Sequence, residues 1–546
     1  MSKGRSLLLL LIATTSQLCY AVSTERNDGG VRRTLQHRFE GDISGACVLG
    51  SVIRDGNVRS ASFCADGRDA SALYSRTFEI GSITKTMTAF LVADLVRREK
   101  WTLQDKLADH LPAGTKVPAQ GDRHIMVMDL LTHTSGLPAL PPRMPVRSAL
   151  DPYANVTPEY LLDALGRTEL KGNIGQTFNY SNYGMMLMSL AVTSAYGGDL
   201  EQAFQEQLFK PLGMSNAFIA KSPVAAPAAG HFPGGKVVGP WQINPSLAGV
   251  GMVKATMADM EAFARANLGD APDSIRAGLR LTHDPGAGLP PLNWSRTSIK
   301  GRSLLLHEGS TGGFSSLLLI SPEDRSAVLV LSDTSLSEMG GLSDVGLALL
   351  TGNADSLKPR RRMPVPIQIA EAIQGSFLAG RTRFEVNRQE AGTVQLQVQG
   401  QPPLDLMFDS AGEFLSPDIN ATLTPFVLPD ASINHLIWRQ GGGATELIRE
   451  TASRLPGVQF DRQYVGRYQI SGTFFIEISE ANGKLVVQGS GQPAITADAT
   501  APNTLVVPVV KAVLSFEPPA ADVPAKLHLR QAGKEVTGLR VPDGRN

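Results

Sequence analysis

A duplication in the C-terminal third constrains this chain more than any other feature. From Gly375 onward the sequence repeats at a constant offset of 91 residues, the step from Gly375 to Gly466. The same step relates Phe377 to Tyr468, Thr382 to Thr473, Phe384 to Phe475 and Gly392 to Gly483. It also relates Gly400-Gln401-Pro402 to Gly491-Gln492-Pro493, Pro417 to Pro508, and Arg439-Gln440 to Arg530-Gln531. A gapless register of this length implies one structural unit used twice. Alternating runs such as Val394-Gln395-Leu396-Gln397-Val398 indicate half-buried strands. Each copy has room for about eight short strands, so the expectation is two small antiparallel β-barrels, residues 369–455 and 460–546. Neither copy shows a clustered nucleophile, base or metal set, which sends the search for chemistry upstream and leaves the barrels to support the fold or shape access.

At 546 residues the chain needs more than one core. Lys plus Arg equals Asp plus Glu, 51 each, and no long basic run occurs, which argues against a nucleic-acid-binding surface. The basic, Pro-rich stretch Lys358-Pro359-Arg360-Arg361-Arg362-Met363-Pro364-Val365-Pro366 reads as a linker, residues 358–368, between a domain over 22–357 and the first barrel. Residues 1–21 read as a secretory signal: Lys3 and Arg5 supply the charge, Leu7 to Thr14 the apolar run, and small residues lie near Ala21. Cys19 follows Leu18 rather than a small residue, against a lipoprotein site. No run is long enough to span a membrane, so the mature protein is expected in the periplasm or outside the cell. Two N-x-T sequences, at Asn155 and Asn420, look exposed and matter only in a eukaryotic host.

Between the signal and the linker the pattern is mixed. Ile43 to Ala65 reads as two strands around Asp55-Gly56, a strong hairpin signal, and that turn places Cys47 opposite Cys64. In an exported protein they form a disulfide; two buried free thiols are the alternative. Apolar periodicity predicts helices over Thr84–Arg98 and Ala255–Leu268, and a helix beginning at Thr157 with Pro158 in its first turn. Leu317 to Leu331 reads as two buried strands joined by Ser321-Pro322-Glu323-Asp324, which suits a sheet covered by helices.

Three segments carry the chemistry. In Gly81-Ser82-Ile83-Thr84-Lys85, Ser82 and Lys85 lie one helical turn apart on one face. A serine hydroxyl needs a base, and a desolvated lysine serves as one at neutral pH. Gly81 allows a tight entry to a helix whose N-terminus faces developing negative charge. In Asn179-Tyr180-Ser181-Asn182, a phenol beside an ammonium is expected to favour phenolate and to shuttle protons, and Asn182 can hold substrate or the lysine. In His307-Glu308-Gly309-Ser310-Thr311-Gly312-Gly313, small residues let a substrate backbone approach a strand edge. Each segment alone has an ordinary structural explanation.

Taken in order, Ser82-x-x-Lys85, Tyr180-x-Asn182 and His307-x-Gly309 resemble the three motifs of the β-lactamase, penicillin-binding and D-amino-acid peptidase superfamily. Leu130-Leu131-Thr132-His133-Thr134-Ser135-Gly136-Leu137-Pro138 and Pro211-Leu212-Gly213-Met214 are similar to segments of class C-like members, so the resemblance covers roughly Arg38 to Leu350. It implies an α/β (α+β) β-lactamase-like catalytic domain, an antiparallel sheet flanked by helices, followed by the two barrels. It also implies Ser82 as nucleophile, Lys85 and Tyr180 as proton-transfer partners, and Asn182, His307, Gly309 and Ser310 as substrate-binding residues. The N–H groups of Ser82 and Ser310 would form the oxyanion hole. His307 stands where class C β-lactamases usually carry Lys, replacing a fixed cation by a titrating imidazole. Together with the barrels, that looks more like the D-aminopeptidase type. The expected activity is hydrolysis of short or unusual peptides: D-residue-containing, cell-wall-derived, or linearised cyclic peptides such as microcystins. A carboxylesterase or weak β-lactamase is one alternative, and a non-catalytic peptide-binding module is another. No cofactor or metal is called for, and His124, His231, His283 and His435 show no ligand spacing.

Overall fold

A computed structural model describes residues 24–541 except 222–224, 287, 300, 390–391, 428–431, 442, 451–458, 472–473, 482, 491, 493, 508–509, 511, 520–523 and 532–533. The expected signal segment and the repeat positions Thr473, Gly491, Pro493 and Pro508 lie outside the described residues.

The N-terminal unit is framed by β1 (Thr24–Arg26), α1 (Gly29–Phe39), β2 (Cys47–Arg54), β3 (Asn57–Cys64), α2 (Thr84–Arg97), α3 (Asn182–Ala195), α4 (Met257–Asn267), β4 (Ser295–Ile299), β5 (Arg302–Ser310), β6 (Ser315–Ser321), β7 (Ser326–Ser332) and α5 (Ser343–Thr351). The sheet runs β1-β3-β2-β7-β6-β5-β4. Only the β1–β3 pair is parallel. Central strands are covered on both faces, which is why they read as unbroken apolar runs. Leu318, Ile320, Leu329 and Leu331 pack with Ile80, Met87 and Phe90 of the helical layer. Their neighbours Leu317, Leu319, Val328 and Val330 pack with Leu35 and Val345 of α1 and α5.

The β2–β3 hairpin turns through Asp55 and Gly56 with φ of 48° and 81°, the two positive values of a type I′ turn. Its register pairs Cys47 with Cys64, and the two form a disulfide. Their Cα atoms are 3.9 Å apart, closer than the common range of about 4.4–6.8 Å, because the hairpin ladder already holds them face to face.

Both repeats are closed eight-stranded antiparallel barrels. The first runs from Gly375–Ala379 to Gly443–Arg449, the second from Gly466–Ser471 to Lys534–Val541. The offset holds in the closing pairs, Phe377 with Arg449 and Tyr468 with Arg540. Gly375 and Gly466 have φ of 126° and 147°, and an added Cβ at either would lie 2.7 Å from the guanidinium of Arg449 or Arg540. Each barrel encloses its own core, around Phe377 and Phe414 in one and Tyr468 and Phe516 in the other.

The basic segment read as a linker is strapped between domain and barrel. Arg360 is buried; its Nε donates to Asp409 (2.6 Å), its Nη2 to Glu413 (2.6 Å) and its backbone N–H to Asp42 (2.6 Å). Arg362–Met363 then adds a short strand to the first barrel. Asn420, at one of the two N-x-T sequences, is buried against the N-terminal unit rather than exposed, because its turn docks there. Among the described residues no helix is long and apolar enough to cross a membrane.

The disulfide spans 17 residues, and closing such a loop removes about 3 kcal/mol of unfolded-chain entropy. Replacing Cys47 and Cys64 together by Ala is expected to lower the stability of the N-terminal unit by about 2–3 kcal/mol, read from its denaturant midpoint. An unchanged midpoint contradicts this.

Candidate active site

The site is assembled where α2 begins against the end of β5. Ser82 sits in a short 3-10 turn, Gly81–Ile83, that runs straight into α2. Ser316 Oγ donates to Ile80 O at 2.7 Å and pins this turn to β6. The approach to β5 is backbone against backbone. An added Cβ at Gly81, whose φ is 51°, would lie 2.5 Å from Ser310 N. One at Gly309 would lie 2.0 Å from Ile80 O. Only glycine at these two positions brings the Ser82 turn alongside Ser310.

Lys85 follows one turn into α2 and is completely buried. Its Nζ lies 2.8 Å from Ser82 Oγ and donates to Val250 O at 2.6 Å. No carboxylate accompanies it in these contacts, and burial holds its pKa down to about 7. The amine is therefore about half neutral near physiological pH.

Tyr180 precedes α3. The Ser82 side chain faces its hydroxyl and opposes part of the effect of burial on it, and Lys85 Nζ lies over its ring, 5.1 Å from the centroid. The sequence expectation that the ammonium favours phenolate is corrected here. Burial raises the Tyr180 pKa well above its usual value, and Lys85 meets the ring face as an amine that is itself losing its proton. Tyr180 remains a phenol.

His307 lies on β5, with Nδ1 2.7 Å from Glu308 O and its ring 6.4 Å from that of Tyr180. Burial, then the charge on Lys85, pushes its pKa down to about 4, so it is neutral at physiological pH rather than titrating near it. It stands behind Tyr180 and not in the cavity wall. Asn182, the first residue of α3, donates from Nδ2 to Tyr153 OH at 3.1 Å, and its Oδ1 has no partner.

These groups open onto a cavity of about 500 Å³. Ser82, Tyr180, Asn182, Gly309 and Ser310 line it, with Lys85 and His307 behind. Leu140, Met144, Val146, Leu150, Tyr153 and Trp241 give it apolar walls. Among the described residues no lysine or arginine lines it, whereas Glu308 and Glu338 do.

Residue spacing alone points to neither Tyr153 nor Trp241, which reach the cavity from loops without a motif. His133 has a definite task. Its Nδ1 accepts from Ser181 N at 3.2 Å, and its ring lies 4.4 Å from that of Tyr180. Asn179 N–H donates to His133 O, and Ser181 Oγ to Pro138 O, both at 2.7 Å. The segment at 130–138 is thus the bracket that seats Tyr180. Away from the site, His435, Glu446 and Asp498 come within 4.8 Å of one another between the two barrels, a grouping that sequence spacing does not reveal. The Glu446 carboxylate, 2.8 Å from His435 Nδ1, pushes that imidazole's pKa up, as in an ion pair.

Residues 31–352 match the family described as Beta-lactamase. The D-alanyl-D-alanine-carboxypeptidase/endopeptidase AmpH of Escherichia coli K12 is 32% identical over 197 residues, covering 35% of this chain and 50% of that protein. Penicillin-binding protein 4 of Amycolatopsis lactamdurans is 26% identical over 315 residues, covering 52% of this chain and 79% of that protein. The chain therefore spans about half the length of the first of these relatives. A solved class C beta-lactamase superposes with a TM-score of 0.50 at 19% identity, over 59% of this chain and 95% of that one.

The contact at Gly309 gives a test of the site's construction. Gly309→Ala should displace the Ser82 turn and cut the rate of Ser82 labelling by a fluorophosphonate, followed by intact mass, by roughly a hundredfold. Labelling at the wild-type rate would mean that the strand end does not set the geometry of Ser82.

Proposed function

The chain belongs to the beta-lactamase family, and from that premise we propose that it is a serine hydrolase working through an acyl-enzyme on Ser82. The observation that carries this reading is the buried Lys85 amine, 2.8 Å from Ser82 Oγ with its pKa held down to about 7. In the neutral form Lys85 donates to Val250 O and turns its lone pair to the Ser82 hydroxyl. Ser82 Oγ gives its proton to Lys85 and attacks the substrate carbonyl. The oxyanion is met by the N–H groups of Ser82 and Ser310, a pairing supported by the close approach of Gly81 to Ser310 N and of Gly309 to Ile80 O. The Tyr180 phenol passes its proton to the leaving group and recovers one from the Lys85 ammonium. Water then enters by the reverse route and releases the acid.

A short peptide is the substrate we propose, whether D-residue-containing, cell-wall-derived or a linearised cyclic peptide such as a microcystin. The walls support an uncharged group at the scissile bond. With His307 neutral and no lysine or arginine among the described residues lining the cavity, little there is offered to the carboxylate of a β-lactam. The same apolar walls favour a carboxylesterase as the second reading. A purely binding module has no use for an amine buried without a counter-charge, which costs stability. Export of the mature protein is part of the same proposal, and the Cys47–Cys64 disulfide is consistent with it.

On a peptide and ester panel, Ser82→Ala and Lys85→Ala should each lower kcat by at least about 10³-fold, with the double variant little worse than either single one. Multiplying losses would mean that Lys85 only supports the fold. Because the base must be neutral, kcat/KM should rise with pH, reach half its plateau at about pH 7 and stay high above it. His307, neutral above about pH 4, should not contribute to that limb, so His307→Ala should leave its midpoint in place. A flat profile between about pH 5 and 9 would remove Lys85 as the base. Lys85→Met should also stabilise the folded chain by about 0.5–2 kcal/mol while inactivating it.

A further inference from the structure

The first barrel reaches into the site. Its turn at residues 417–420, between strands Phe414–Ser416 and Ala421–Val427, carries Ile419 and Asn420 into the cavity wall beside Ser310 and Ser335. Gln440 fixes the turn by donating from Nε2 to Ile419 O at 3.1 Å. Asn420 has a φ of 47°, a backbone region that asparagine enters more readily than most residues. It is 9% exposed. Its Nδ2 donates to Ser335 Oγ at 2.9 Å, and Ser335 Oγ lies 3.3 Å from Ser310 Oγ. Ser335 is seated independently, its N–H donating to His231 O at 3.0 Å. The remaining contact of the Ser310 hydroxyl, to Thr311 O, is a weak 3.4 Å.

We propose that Asn420 is a positioning residue of the hydrolase site: acting through Ser335, it fixes the end of β5 at Ser310 and thereby the oxyanion hole. The inference rests on the acyl-enzyme reading of Ser82. A buried amide with an unpaired Oδ1, held in a left-handed turn, is a poor choice for stability alone. It is well placed to stiffen a strand end. Ser310 is the last residue of β5, and its N–H must hold its position as charge develops on the substrate oxygen. The barrel thus takes part in catalysis through a two-step hydrogen-bond chain, without contributing a reacting group.

The test compares full-length Asn420→Ala, Asn420→Asp and Ser335→Ala on p-nitrophenyl butyrate and on a peptide that the wild type cleaves. Asn420→Asp preserves volume and removes the amide donor, so it answers the question even if Asn420→Ala fails to fold. Thr422→Val is the control. It removes the hydrogen bond from Thr422 Oγ1 to the backbone carbonyl of Glu338 at 3.3 Å, in the same interface; Glu338 lines the cavity but Thr422 does not, and neither is linked to Ser310 or Ser335 by that bond. Each of the three test variants should lose roughly ten- to a hundredfold in kcat with KM changed less than about threefold, the signature of lost transition-state positioning. The Asn420→Asp/Ser335→Ala double variant should be no slower than the slower single one, and Thr422→Val should stay within about twofold of wild type. Wild-type kcat in Asn420→Asp overturns the proposal. So do multiplying losses in the double variant, or a fall in Thr422→Val as large as that in Asn420→Asp. Fluorophosphonate labelling of the wild type separates the two readings: no adduct on Ser82 sinks the acyl-enzyme, whereas equal labelling of wild type and Asn420→Asp sinks this inference alone.

Discussion

The site depends on a backbone contact made possible by two missing side chains. Where the turn at Ile80-Gly81 meets Gly309-Ser310, a Cβ on either glycine would overlap the opposing main chain. Without that approach, α2 could not begin at the strand edge and Ser82 could not stand beside Ser310. Lys85 would then lose its depth. Its burial follows from the helix being driven, N-terminus first, between the sheet and the 3-10 turn at Pro245–Val250 that supplies the carbonyl of Val250. The low pKa of Lys85 is a consequence of packing: an ammonium in this position has one backbone carbonyl and one hydroxyl in place of water.

Electrostatics around that amine make the site internally consistent. Burial depresses two imidazoles, His133 and His307, and both lie near enough for the charge of Lys85 to depress them further. Both are neutral wherever the enzyme would work, and Tyr180 is held as a phenol. Lys85 is therefore the group in this cluster whose protonation changes near neutral pH. A lining that, among the described residues, includes Glu308 and Glu338 but no lysine or arginine separates the cavity from one designed to grip an anion.

The barrels do more than extend the chain. Arg360 is the tie, a buried guanidinium donating to Asp409 and Glu413 of the first barrel while its own N–H reaches Asp42 of the N-terminal unit. Breaking one partner of such a cluster leaves uncompensated charge in the interior, so the orientation of barrel on domain is firmly specified. That orientation delivers Asn420 to Ser335. The second barrel repeats the fold of the first, with Phe516 and Tyr468 in its own core.

The sequence by itself determined everything that depends on local period and spacing. The step of 91 residues predicted two like barrels because strand register and closing pairs are copied with the sequence that makes them. Asp55-Gly56 fixed the hairpin and hence the pairing of Cys47 with Cys64, since a two-residue turn leaves one register. One helical turn brought Ser82 and Lys85 together, and the resemblance supplied Tyr180 and Asn182. Tertiary structure decided what depends on surroundings. Charge was one such matter: spacing cannot show that Tyr180 and His307 are buried, and burial set both against the sequence expectation. The role of Arg360 was another, because a basic, Pro-rich run looks the same whether it is solvated or seated between Asp409 and Glu413. Asn420 was the last. Nothing within a barrel repeat marks a residue whose partner, Ser335, lies 85 positions earlier in a different domain, and only docking of the two surfaces brings that amide to the serine.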